Sequence, residues 1–243
     1  MPLRIAFDMD GVLADMESEL VRQAETLFGP AVKSDALDPP TDPQADPQQT
    51  SAETAPDNVS PLLRLNITLR QQRKLWRHVE SIENFWLTLK ELEPGVIARL
   101  AATASERQWE IIFLTKRPRS VGYTAQAQTQ RWLESKGFQL PSVFVVQGSR
   151  GRIAAALDLD IVVDDRPENC LDVVVDSKAR AILVWREDEK QLPANTSRLG
   201  IGVVKSVAEC LDILKQIDSP PREQPRVMDR VMRLLGLKEP ASA

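Results

Sequence analysis

The chain has 243 residues, room for one large domain or for a core with a small accessory domain. Its 42% hydrophobic content is that of an ordinary globular protein, and a formal net charge of -4 leaves no basic footprint for general nucleic-acid binding. No apolar run approaches a membrane span, no basic stretch followed by a long apolar one marks a signal peptide, and Cys170 and Cys210 stand far apart in no metal-ligand spacing. These features predict a cytoplasmic protein with reduced thiols and no membrane contact. Its partner is expected to be a small molecule, and a homodimer stays open.

In chain order, a first apolar run over 3–7 reads as a buried strand, ending in Asp8-Met9-Asp10-Gly11-Val12-Leu13-Ala14-Asp15. Helical patterns follow over 16–28 and 69–82. Between them, 34–61 is poor in aromatics and rich in Asp, Gln, Thr and Pro, a composition that buries little apolar surface. Residues 16–82 are therefore expected to form a helical cap with a flexible insert. His78, the only histidine, reads as ordinary cap structure.

From residue 83 strands and helices alternate. An Ala-rich helix over 95–106 precedes a strand over 111–114, which ends in Thr115, Lys116 and Arg117. A helix over 121–136, stopped by Gly137, leads to a strand over 143–146. A short helix over 151–157 precedes a strand over 161–163 that ends in Asp164-Asp165, and a fifth strand covers 181–185. The runs are continuous rather than alternating, as in parallel strands covered on both faces. The pattern predicts an α/β fold with a doubly wound parallel sheet, built from 1–15 and 83–218. The tail 219–243 opens with Pro220-Pro221 and then has apolar residues at helical spacing, which suits a short docking helix.

The chemistry gathers where these strands end. Sites in open parallel sheets form beyond the carboxyl ends of the strands. If these strands are neighbours, Asp8, Asp10, Asp164, Asp165, Thr115, Lys116 and Arg117 meet at one edge. Four crowded carboxylates repel one another, and a hard divalent cation removes the difficulty. Oxygen-only donors favour Mg2+ over Zn2+. A phosphate monoester fits such a site: one carboxylate attacks phosphorus and a second moves the proton. Any one of these signals alone has a plain structural reading, since Asp-x-Asp-Gly suits a turn and Asp-Asp a helix cap. Their order, each directly after a strand, points to a common site.

The chain resembles the haloacid-dehalogenase (HAD) superfamily. Asp8-Met9-Asp10-Gly11-Val12 is similar to its first motif, Thr115 to its second and Asp164-Asp165 to its fourth. The resemblance implies a Rossmann-like core, Asp8 as nucleophile and Asp10 as acid/base. It also implies phosphate binding by Thr115, and Mg2+ held by Asp8, Asp10 through its carbonyl, and Asp164 or Asp165. Where the family carries a lysine upstream of the acidic pair, this chain has Arg150, with Arg152 nearby; Arg150 keeps the charge as a planar fork. Lys116 is a further candidate for the phosphate.

Asp164-Asp165-Arg166-Pro167-Glu168-Asn169, and Phe85-Trp86 ahead of Glu93-Pro94-Gly95, are similar to the 5'(3')-deoxyribonucleotidase branch. That likeness implies a nucleoside or deoxynucleoside monophosphate as substrate. Phe85 and Trp86 would then line a base pocket or simply pack the hinge. A sugar phosphate, a polynucleotide end, or phosphate binding without turnover remain the alternatives.

Overall fold

The computed structural model describes residues 2–29, 67–194, 196 and 198–217. The Pro-rich segment 34–61 and the tail 219–243 lie outside the described residues. Six parallel strands form one sheet: β1 (Arg4–Asp8), β2 (Glu110–Thr115), β3 (Ser142–Val145), β4 (Ile161–Asp164), β5 (Arg180–Val184) and β6 (Gly202–Val204). Their order is β3-β2-β1-β4-β5-β6. The chain builds outward from β1 to β3, then crosses back to lay β4 on the other side of β1. Such a reversal leaves a crevice at the strand ends, because the two connections leave in opposite directions.

Both sheet faces are covered, which explains why the strand runs are apolar without alternation. Ile5, Phe7, Phe113 and Val163 pack on one face against α3 (Val96–Arg107), α4 (Ala125–Ser135) and α7 (Val207–Ile217). Ala6, Leu114, Val162 and Leu183 pack on the other against α5 (Arg150–Ala156) and α6 (Pro167–Asp176). The sixth strand and α7 go beyond the sequence-based expectation. β6 is three residues long, too short to stand out as an apolar run. The helix expected over 121–136 begins at Ala125, because Val121 is instead bridged to Glu83 and Thr124 caps the helix through its side chain.

α1 (Met16–Phe28) starts at Asp15, whose carboxylate accepts the Ser18 amide. α2 (Leu69–Ser81) starts with a capping box, in which Thr68 and Gln71 satisfy each other's backbone donors. The two helices contact each other, with Leu20, Ala24, Leu75 and Val79 buried. His78 Nε2 lies 3.0 Å from Gln23 Oε1, a structural contact between these helices.

α5 carries Arg150 as its first residue and lies against α6. Gly151 makes that approach possible, since a Cβ there would overlap the carbonyl oxygen of Asp172 and crowd the Asp176 side chain. Gly151→Ala is expected to lower stability by about 1–3 kcal/mol through overpacking. Urea denaturation followed by circular dichroism measures it, and an unchanged midpoint would contradict this account of the helix contact.

Candidate active site

β1 and β4 are hydrogen-bonded neighbours, so Asp8 and Asp164 end adjacent strands. Beyond Asp8 the chain turns back at once: the Leu13 and Ala14 amides donate to the Met9 carbonyl at 2.9 and 2.8 Å. Gly11 takes φ +89° in this turn, and a Cβ there would overlap the Asp165 carboxylate. Only a glycine lets the loop after β1 pass so close to the end of β4. The Asp10 amide donates to Asp8 Oδ2 at 3.1 Å, which brings the two acids to the same site.

β2 adds the next layer. The Thr115 hydroxyl donates to Asp10 Oδ2 at 3.1 Å and accepts the Arg117 amide at 3.3 Å. Arg117 is buried. Its Nε donates to Asp10 Oδ2 at 2.9 Å, its Nη2 to Asp10 Oδ1 at 2.7 Å, and its Nη1 to Thr129 Oγ1 at 2.9 Å. The guanidinium also lies 5.0 Å from the centre of the Trp86 ring. Arg117 is thus a partner of the site rather than a solvent-facing strand end. Lys116 lines the same cavity, and burial together with Arg150 and Arg166 lowers its pKa.

From α5, Arg150 Nη2 donates to Asp8 Oδ1, and its Nε lies 3.5 Å from Asp164 Oδ2. Burial opposes the charge on Arg150, but Asp8 and Asp164 more than offset it and hold its pKa above the ordinary arginine value. Asp164 is fully buried, accepting two hydrogen bonds of 3.0 Å from the Asn169 amide and one of 2.9 Å from the Arg166 backbone. Asp165 faces the cavity instead. Burial raises the Asp8 pKa well above the carboxylate range, with Arg150 opposing and the other acids adding to the rise. Burial and the neighbouring Asp164 charge push Asp165 up to about 8.

Arg150 Nε and Nη1, both donors, and Asp165 Oδ1, an acceptor, are buried here without a hydrogen-bond partner among the described residues; Nε keeps its 3.5 Å ion-pair contact with Asp164, which leaves Nη1 and Oδ1 as a pair of opposite polarity. Buried polar atoms left unsatisfied are costly, so an unsatisfied pair in one cavity marks a place for ligands. The donors around Asp165 are oxygen-only, which suits a hard cation. Among the described residues no three His, Cys, Asp or Glu side chains already converge as a metal cage; here Asp10 is turned to Arg117 and Asp164 to Asn169.

The cavity has a volume of about 1020 Å³ and reaches from Asp8, Asp10, Arg150 and Asp165 to α2. Trp86 borders it although, like Phe85, it is fully buried, and the two rings meet edge-on at 4.9 Å. Sequence reasoning missed Arg186, just past β5. It donates from Nη1 to the Gly11 carbonyl at 2.6 Å and from Nη2 to the Val12 carbonyl at 3.2 Å. Nη2 also pairs with Glu93 at 2.7 Å, and Glu93 accepts the Val207 and Ala208 amides at the start of α7. This network ties the loop after β1 to the far side of the sheet. Its position just past a strand end was the available signal.

No protein-family model and no curated protein matches this sequence. Solved structures do. A HAD family hydrolase from Deinococcus radiodurans R1, crystallised with bound phosphate and sodium, aligns at TM-score 0.52 and 13% identity, over 91% of this chain and 99% of its own. A hydrolase from Pseudomonas syringae aligns at TM-score 0.50 and 17% identity, over 89% of this chain and 100% of its own. The fold is therefore HAD-like, with a Rossmann-type parallel sheet.

Arg117→Ala strands the Asp10 carboxylate and empties a buried position. It is expected to cost about 3–5 kcal/mol, nearer the lower end because Asp10 retains some exposure. Removing Asp10 as well should recover part of that loss. Chemical denaturation of the two variants measures both, and an Arg117→Ala midpoint equal to wild type would contradict the buried pair.

Both cysteines are free and buried. Burial raises the pKa of each thiol, and nearby acids add to the rise. The thiolate is the reactive form, so a raised pKa means less of it at neutral pH. Neither thiol is expected to react with a thiol-specific dye near neutral pH in the native protein, while both react in denaturant. Rapid native labelling would contradict their burial.

Proposed function

We propose that this chain is a Mg2+-dependent phosphomonoester hydrolase working through an aspartyl-phosphate. The observation that carries the reading is the unsatisfied pair in one cavity: the spare donor of Arg150 beside Asp8 and the spare acceptor of Asp165. The first calls for an anion and the second for a cation. A phosphate ester with a divalent metal supplies both. The HAD-like fold, shared with a hydrolase crystallised with phosphate, supports the same reading.

Asp8 is the nucleophile. Its carboxylate oxygen bonds to phosphorus as the ester P–O bond breaks, and the leaving oxygen takes a proton from Asp10. A water then attacks phosphorus and gives its proton to Asp10; the bond between phosphorus and Asp8 breaks, releasing phosphate. Thr115, hydrogen-bonded to Asp10, orients that carboxyl. Asp10 engages Arg117 through both oxygens, so the guanidinium must ease away whenever Asp10 carries the proton. Arg150 and Lys116 bind the phosphoryl oxygens, and Arg150 also holds Asp8. Asp8, the Asp10 carbonyl and Asp165 would hold Mg2+, with Asp164 beside them anchored by Asn169. A divalent metal held by these residues would supply positive charge to offset that of the carboxylates and the phosphate.

We assign 1–15 and 83–218 to the core and 16–82 to a cap that excludes water and selects the substrate. A nucleoside or deoxynucleoside monophosphate is the favoured substrate, supported by the branch resemblance and by Trp86 at the cavity wall. A sugar phosphate or a polynucleotide end are the alternatives within the class. Phosphate binding without turnover is the second reading, favoured by the arginine at position 150.

A substrate panel run with and without Mg2+ tests this. Wild type is expected to release phosphate only with metal, and Asp8→Asn is expected to lose at least about 10³-fold in kcat, as for removal of a nucleophile. Beryllofluoride should bind wild type and not Asp8→Asn. Equal activity in the two proteins would refute the nucleophile; tight phosphate binding with no turnover would select the second reading.

A further inference from the structure

Part of the cavity wall belongs to α2, through Arg73, Trp76, Arg77 and Glu80. Arg73 and Arg77 are one turn apart on the helix, exposed and lining the cavity, and neither forms a hydrogen bond or ion pair with another described residue. The reacting end of the cavity has cations of its own in Arg117, Arg150 and Lys116. Arg117 and Arg150 are committed to Asp10 and Asp8 and belong to that end alone. A single phosphate there gives no reason for two more guanidinium groups on α2.

Local charge points the same way. α2 carries Arg70, Arg73, Lys74 and Arg77 against Glu80, in a chain whose net charge is -4. Like charges one helical turn apart oppose helix formation by about 0.2–0.5 kcal/mol per pair. An anion between Arg73 and Arg77 turns that repulsion into attraction. A phosphate monoester carries about -1.5 to -2 charge at neutral pH and offers three acceptor oxygens, a match for two guanidinium forks. A carboxylate carries half that charge. Trp76, half-buried between the two arginines in sequence, offers an apolar face for the body of a ligand. At about 1020 Å³ the cavity has room for an extended ligand, since pockets of roughly 300–1,000 Å³ take drug-sized molecules.

We infer that the substrate is an organic bisphosphate: one phosphate reacts at Asp8, and the second, which is not cleaved in that encounter, is held by Arg73 and Arg77. This rests on the phosphatase reading and sharpens its substrate class. Arg73 and Arg77 act on specificity and lie away from the reacting atoms.

Matched pairs test it: adenosine 3',5'-bisphosphate against adenosine 5'-monophosphate, and fructose 1,6-bisphosphate against fructose 6-phosphate. Binding is measured by calorimetry on the Asp8→Asn chain, which leaves the ligands intact, and kcat/KM on wild type. In at least one pair the bisphosphate is expected to be favoured by about 10- to 100-fold, the worth of one or two charge-assisted contacts. The preference should sit in KM and fall steeply as salt rises. Arg73→Gln/Arg77→Gln is expected to abolish it, while Arg73→Lys/Arg77→Lys, which keeps the charge and loses the fork, restores part. Equal binding of both members in both pairs overturns the inference, as does a preference that survives the double glutamine substitution. Hydrolysis of p-nitrophenyl phosphate by wild type reports the phosphatase reading separately: its absence, with the binding preference intact, removes that reading and leaves the second anion site standing.

Discussion

The arrangement of loops and helices around the strand ends follows from how buried negative charge is accommodated at the ends of β1 and β4. The strand order reverses there, so the chain brings Asp8 and Asp164 to neighbouring strand ends, and the loops beyond them bring Asp10 and Asp165. Burying a carboxylate is expensive, and burying several together more so. Two arginines answer from different directions. Arg150 arrives on α5 to meet Asp8 and Asp164; Arg117 arrives from the end of β2 to meet Asp10. The tight approaches at Gly11 and Gly151 serve this one requirement, the first letting the β1 loop meet Asp165, the second letting α5 sit close enough to α6 to deliver Arg150.

This arrangement is carried by the fold rather than holding it up. A buried ion pair adds little stability over apolar residues of the same size, because desolvation consumes the attraction. The stabilising burial lies in the two apolar layers on either face of the sheet. The site draws on that reserve, retaining an unsatisfied donor on Arg150 and an unsatisfied acceptor on Asp165.

What was legible in the sequence follows from which interactions are local. A strand buried on both faces is a continuous apolar run, so β1, β2, β3, β4 and β5 could be read directly, and with them the residues just beyond their ends. Asp8, Asp10, Thr115, Asp164 and Asp165 were found this way, and the structure brings them together. Arg117 could be noticed but not placed, because its role depends on Asp10 and Thr129, which are adjacent to it only once the sheet and α4 have packed. Arg186 stood just past a strand, but its partners and those of Glu93 could not be placed for the same reason: their hydrogen bonds join the loop after β1, the segment past β5 and the start of α7.

The arginine at position 150 acquires a physical meaning from the same geometry. An ammonium is a compact charge, and in reaching both Asp8 and Asp164 it would sit between them. The guanidinium distributes its charge over three nitrogens instead. Nη2 engages Asp8, Nε turns toward Asp164, and Nη1 remains without a partner among the described residues on the same rigid plane. One side chain thus balances two buried acids and keeps one donor unpaired among the described residues. An arginine here keeps the charge an ammonium would carry but changes its geometry, and it ties the direction of the unpaired donor to the position of the Asp8 carboxylate.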